Sequence, residues 1–174
     1  MSPDKPHTMH PARLPEEVLL KSCTLTTGRS GGPGGQHRNK VATMVRIQHD
    51  PTGIACSAGE RRRQFENRRN AIHRLRVRLA VQVRSPGSPP SQPSQLWRQR
   101  RQGRSISVNP RHQDYPALLS EALDVVCARS FDVARAAGAL NVSMSQLARL
   151  IRHDKHAFGM VNEGRVSRHL PPLH

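Results

Sequence analysis

At 174 residues the chain can hold one ordinary domain or two small ones. One Trp, one Tyr and three Phe leave any core mostly aliphatic, and a formal net charge of +16 implies a polyanionic partner, nucleic acid ahead of an anionic membrane surface. There is no signal-peptide h-region and no apolar run long enough to span a bilayer, so a cytoplasmic protein without membrane attachment is expected. The three cysteines lie far apart and form no CxxC pair, which reads as reduced, packed thiols. Ten histidines include no Cys or His partner at zinc-site spacing, so neither metal nor cofactor is expected.

Residues 1–14 are proline-rich and read as a disordered leader. Pro15-Glu16-Glu17-Val18-Leu19-Leu20 predicts a short helical turn, with proline in the first turn and acids at its positive end. Cys23 to Thr27 favours a strand. Next comes Arg29-Ser30-Gly31-Gly32-Pro33-Gly34-Gly35-Gln36-His37-Arg38-Asn39-Lys40. Such a run is either a flexible linker or a probe for a narrow site, since glycine alone reaches positive φ freely and lets backbone approach a ligand. It is short, ends in a carboxamide and leads straight into strand-like sequence, which favours the probe.

Val41 to His49 alternates, with Thr43, Val45 and Ile47 on one face. Asp50-Pro51-Thr52-Gly53 signals a turn and Ile54 to Ala58 a second strand, together a hairpin. From Glu60 to about Val83 the period becomes helical, with Phe65, Ile72, Leu75 and Leu79 on one stripe and arginine elsewhere. Ser85 to Gln95 is linker sequence, followed by a basic patch from Trp97 to Arg104. One helix is predicted over Leu118 to Val126, a second capped by Asp132, and a third from Met144 to about Met160 with Ser143 and Gln146 as its capping box. Asn141 occupies the tight turn between the last two, the layout of a helix-turn-helix.

Charge is unevenly spread. Residues 1–59 carry seven basic and four acidic groups, residues 60–113 fourteen and two, residues 114–174 seven and six. The polyanion grip therefore falls on the long helix and the basic segment, and the near-neutral helix-turn-helix is weak as an independent DNA-binding module.

Residues 15–83 resemble the GGQ domain of class I peptide chain release factors. The resemblance runs through Arg29-Ser30, Gly32-Pro33-Gly34-Gly35-Gln36, Asn39-Lys40, Val45, His49, Pro51-Thr52-Gly53-Ile54, Gln64, Asn67 and Arg68. Arg38, Ala42 and Arg63 depart from the residues common in that family and leave the tripeptide intact. The resemblance implies an α+β fold with a short sheet and hairpin packed by one long basic helix. It implies an enzyme that hydrolyses the peptidyl-tRNA ester within the ribosomal peptidyl transferase centre.

Gly34, Gly35 and Gln36 would be catalytic, with the Gln36 N–H stabilising developing negative charge. His37, Arg38, Asn39, Lys40, Arg61, Arg62, Arg68, Arg69, Trp97, Arg98, Arg100, Arg101 and Arg104 would contact RNA, Trp97 by stacking on a base. Ribosome, ribosomal RNA and peptidyl-tRNA are the implied partners of a monomer, with a glutamine methyltransferase acting on Gln36 as a further one.

The expected organisation is a leader (1–14), a GGQ domain (15–84), a Pro/Ser/Arg-rich basic linker (85–113), an all-α helix-turn-helix-like module (114–163) and a tail (164–174). Few residues precede the GGQ domain and no decoding motif follows it, so codon-independent rescue of stalled ribosomes is expected, with the basic patch serving as an mRNA-channel sensor. The alternatives are a non-catalytic ribosome- or RNA-binding factor and a helix-turn-helix DNA regulator.

Overall fold

The computed structural model describes residues 9–29, 43–87, 89 and 91–174. It is mixed α and β, and its residues fall into two compact units, Leu14–Leu79 and Ala80–His174 together with the N-terminal residues up to Arg13.

In the Leu14–Leu79 unit, α1 (Glu16–Leu20) leads to a three-stranded antiparallel sheet of β1 (Cys23–Gly28), β2 (Met44–His49) and β3 (Ala55–Ala58), with β2 central. β1 pairs with β2 from Cys23↔His49 to Gly28↔Met44, and β2 with β3 from Val45↔Ala58 to Gln48↔Ala55. The expected Asp50–Gly53 turn closes the hairpin: Gly53 N–H donates to His49 O at 2.9 Å, and Gly53 has φ +70°, a conformation glycine adopts without strain. Alternation along β2 and β3 buries Val45, Ile47, Cys56 and Ala58, which with Leu19 and the helix residues Ala71, Ile72, Leu75 and Leu79 make an aliphatic core.

That helix, α2 (Gln64–Gln82), starts four residues later than its periodicity predicts. Asn67 holds residue 61 through both its N–H and its C=O, which fixes a turn ahead of the helix. Phe65, in the first turn of α2, is 63% exposed, so the buried apolar stripe begins at Ala71 and Ile72 rather than at Phe65. Arg74 and Arg78, one turn apart, each donate to a β3 carbonyl, of Ser57 and Ala55, at 2.8 Å. The outer edge of β3 is thereby covered, which protects it from pairing with another chain.

In the other unit, residues assigned to a leader form a 3-10 turn, Pro11–Arg13, with His10 and Ala12 buried. Arg13 binds Ser120 and Asp124 of α4 (Tyr115–Ala128), the latter at 2.6 Å. The proline- and serine-rich stretch is pinned at both ends on that same helix. The Asp124 carboxylate accepts from Ser85 N–H and Oγ, and Glu121, one turn away, accepts from Ser94 N–H and Oγ. Both acids are buried, and both are satisfied by a serine's paired donors.

Ser94 then caps α3 (Gln95–Arg100), and a small hairpin of β4 (Arg101–Gln102) and β5 (Ser105–Ile106) follows. After α4 come α5 (Val133–Ala139), α6 (Met144–Arg152) and α7 (Lys155–Val166). Asn141 sits in the αL turn at φ +55°, and Asp132 caps α5 as expected. The predicted third helix is instead two, because Asp154, with φ −115° and ψ 119°, leaves helical geometry and caps α7 through Ala157 N–H at 2.8 Å. The capping box is also redistributed. Ser143 Oγ accepts from Gln146 N–H, but the Gln146 side chain accepts from Ser105 and the Ser143 N–H donates to Arg104 O. The final residues are held by Asn162, which accepts from Leu173 N–H and donates to Leu173 O.

Burial raises the thiol pKa of Cys23, Cys56 and Cys127, all unpaired. Among the described residues no helix is long and apolar enough to cross a membrane, and no group of three His, Cys, Asp or Glu gathers as a metal site.

Candidate functional site

Residues 30–42, which contain Gly34, Gly35, Gln36, His37, Arg38, Asn39 and Lys40, lie outside the described residues. The structure defines the base from which they depart. Gly28 and Met44 are paired across β1 and β2, so the described residues on either side of 30–42 are held side by side by the sheet ladder. Thr43, the residue before β2, is fixed from the other side, where the carboxamide nitrogen of Asn67 donates to its carbonyl at 2.7 Å.

Asn67 is buried completely and joins three backbone groups: Thr43 O, Arg61 O at 2.9 Å and Arg61 N–H at 2.9 Å. A carboxamide is the one neutral side-chain group that both accepts and donates in this geometry. It locks Thr43 to the start of α2.

Around that junction the arginines divide into two sets. Arg74, Arg76 and Arg78 are engaged structurally, donating to backbone carbonyls of Ser57, Leu14 and Ala55 respectively. Arg61, Arg62, Arg68 and Arg69 are exposed; Arg68 comes to 3.9 Å of Glu16, a solvent-exposed pair of small energetic weight. Phe65 stands exposed among them, with the Arg63 guanidinium 5.9 Å from its ring centroid. Sequence reasoning assigned Phe65 to the core because it fits the helical stripe, and so missed an aromatic at the surface of the arginine cluster. Its place directly after Arg61-Arg62-Arg63-Gln64 was the signal that marked it.

The basic patch of the other unit is folded, which corrects the reading of Trp97 as a base-stacking residue. Trp97 is 0% exposed, and its indole N–H donates to Leu140 O at 2.9 Å. Its flat apolar body therefore fills a core, leaving no face for a nucleobase. Arg100 pairs with Asp114 at 2.5 Å, and Arg101 is turned onto Gly103 O. Arg98 and Arg104 are exposed and make no ion pair among the described residues.

Set beside known proteins, residues 16–115 match the RF-1 domain family, more than half of the 174 residues. The chain is 48% identical over 68 residues to the chloroplastic peptide chain release factor PrfB1 of Arabidopsis thaliana, covering 39% of this chain and 14% of that protein. It is 46% identical over 63 residues to peptide chain release factor 1 of Chlorobaculum tepidum and to that of Chloroherpeton thalassium, 36% of this chain and 18% of each. The chain thus spans less than a fifth of the length of the curated relatives it matches.

Proposed function

The chain belongs to the RF-1 domain family, and from that premise we propose that it hydrolyses the ester bond between a nascent peptide and tRNA on the ribosome. The observation that carries the reading is the intact Gly34-Gly35-Gln36 in a segment whose two ends are clamped by the Gly28–Met44 pair and by Asn67.

In the proposed reaction a water attacks the ester carbonyl. The bond from that carbon to the tRNA ribose oxygen breaks, and the proton lost by the water goes to the departing oxygen. Negative charge develops on the carbonyl oxygen and then on the ribose oxygen. The backbone N–H of Gln36 stabilises it; losing one such donor costs about 100–1000-fold in rate. Gly34 and Gly35 give the backbone its slim profile. His37, Arg38, Asn39 and Lys40 contact RNA phosphate or sugar, and Arg61, Arg62, Arg68 and Arg69 extend the grip. Ribosomal RNA and peptidyl-tRNA are the partners, and the Gln36 side-chain amide is the site a methyltransferase would modify.

The finer part of the proposal is that release proceeds without reading a codon, in rescue of stalled ribosomes.

The test is release of labelled peptide from stalled ribosomes carrying a truncated mRNA, a vacant sense codon or a vacant stop codon, with wild type and Gly35→Ala. Release by the wild type on the truncated message, lost in Gly35→Ala, is expected. Equal activity of the two proteins overturns the catalytic reading, and release confined to stop codons overturns codon independence.

A further inference from the structure

The four-helix part of the chain is left without a role by the reaction proposed above. Its charge, counted along the sequence, is nearly balanced. In the folded unit five of its six acids are engaged internally, and the sixth, Glu163, is exposed. Glu121 is buried on Ser94, Asp124 on Ser85 with Arg13 and Arg84 paired to it, Asp114 pairs with Arg100, Asp132 caps α5 and pairs with Arg135, and Asp154 caps α7. Arg104, Arg149 and Arg152 are exposed and form no ion pair among the described residues.

The fold also joins two features that lie far apart in the sequence. The β4–β5 hairpin is bonded to the start of α6, the second helix of the helix-turn-helix, by Ser143 N–H to Arg104 O at 2.9 Å and Ser105 Oγ to Gln146 at 3.2 Å. Beyond β5 the chain continues beside α6 and leaves a cleft of about 310 Å³, walled by Ile106, Val108 and Leu150, with Asn109, Arg149 and His153 among its polar lining. Arg104 marks the start of α6, Arg149 and Arg152 its far end, a span of about 13 Å. Arg149 lines this cleft, and Arg104 and Arg152 lie exposed outside it, at the two ends of the same helix.

We infer that the hairpin and α6 together bind double-stranded RNA through its backbone. Arginine rims and hydroxyl donors such as exposed Ser145 suit phosphate and ribose. Gln146, the carboxamide on α6 suited to reading base edges, has its Oε1 engaged by Ser105 Oγ at 3.2 Å, which competes with bidentate readout of a base in a DNA major groove. Duplex RNA is recognised by shape and by 2′-OH and phosphate contacts, which this surface supplies. The choice of RNA over DNA rests on the ribosomal function proposed above.

The test is fluorescence anisotropy of the full chain with a duplex RNA of about twenty base pairs, its DNA counterpart and a single strand, over a salt series. The triple variant Arg104→Gln/Arg149→Gln/Arg152→Gln is expected to bind the RNA at least about tenfold more weakly, with a salt slope lower by about two to three. The triple lysine variant, which keeps the charge, should stay within about threefold of wild type. Wild-type affinity in the glutamine variant, no duplex binding by the wild type, or DNA bound as tightly as RNA each overturns the inference. Peptide release, run in parallel, separates the readings. Release that depends on Gly35 with no duplex binding sinks only this surface, and arginine-dependent duplex binding without release sinks only the catalytic proposal.

Discussion

The carboxamide of Asn67 donates to the carbonyl of Thr43 across 2.7 Å, tying the residue before β2 to the first turn of the long helix. The same side chain satisfies Arg61 on both its backbone N–H and its C=O, so one buried group serves three partners. Asn67→Ala leaves those partners in a dry environment, at roughly 1–3 kcal/mol for each one that water does not reach. Thermal melting should show a clear loss of stability. Peptide release measured well below the melting range should also fall, because Thr43, next to the segment that carries Gly34-Gly35-Gln36, is no longer fixed. Asn67→Asp keeps the acceptor for Arg61 N–H and loses the donor to Thr43, so it should not restore release. Full release by folded Asn67→Ala would remove Asn67 from the positioning role.

Phe65 and Trp97 exchange the places that their sequence context suggests. Truncating Trp97 to Ala empties a packed site and orphans the Leu140 carbonyl, a change of about 3–5 kcal/mol in unit stability. Phe65→Ala should leave the melting temperature nearly unchanged and weaken RNA binding, since a stacked base is worth about 1–3 kcal/mol by alanine substitution. The pair of melts and binding curves separates the roles. A Phe65→Ala protein that melts as Trp97→Ala does would return Phe65 to the core.

What the sequence disclosed is what depends on neighbours along the chain. The Asp50–Gly53 turn, the alternation of Val45 and Ile47, the αL position of Asn141 and the cap at Asp132 are local signals, and each is found in place. Trp97 was misread because its partner, Leu140, is 43 residues away. The start of α2 was misread because Asn67, not the apolar period, decides it. The charge count of the helical module was legible in the sequence, but not that Glu121 and Asp124 are buried on Ser94 and Ser85, which lie 27 and 39 residues away along the chain. The glycine loop itself is legible only as sequence, through the spacing of its flanking residues.

Stability should fall as the solution is acidified. His10 is held neutral, donating from Nε2 to Val83 O at 3.0 Å and accepting at Nδ1 from Ala12 N–H, and burial lowers its pKa below the usual 6.5. His49, buried beside Thr52 Oγ1, is lowered for the same reason. A histidine whose folded pKa is depressed takes up its proton first in the unfolded chain. Its contribution is therefore complete above 6.5, declines as pH drops below that value, and levels off under the folded-state pKa. Melts between neutral pH and about pH 5 should show this decline. His10→Asn and His49→Asn should each be less stable at neutral pH and less sensitive to acid. A melting temperature flat across that window would show that neither ring is held neutral by the fold.

Two glycines of α7 make opposite predictions for the same substitution. A methyl added at Gly164 would fall 2.6 Å from Cζ of Phe131 and closer still to its Cδ1 and Cε1. That ring has little room to retreat. Phe131 sits at φ +62°, its N–H donates to Val126 O at 2.9 Å, its carbonyl accepts from Arg165 at 2.9 Å, and Arg168 lies 4.6 Å over its face. Gly164→Ala should therefore destabilise the helical unit by about 1–3 kcal/mol through overpacking. At Gly159 an added methyl meets nothing within 4 Å, so Gly159→Ala gains helix propensity alone and should stabilise by up to about 1 kcal/mol. Opposite shifts in melting temperature are the expected result. Equal shifts would mean that Phe131 does not pack on Gly164 in solution.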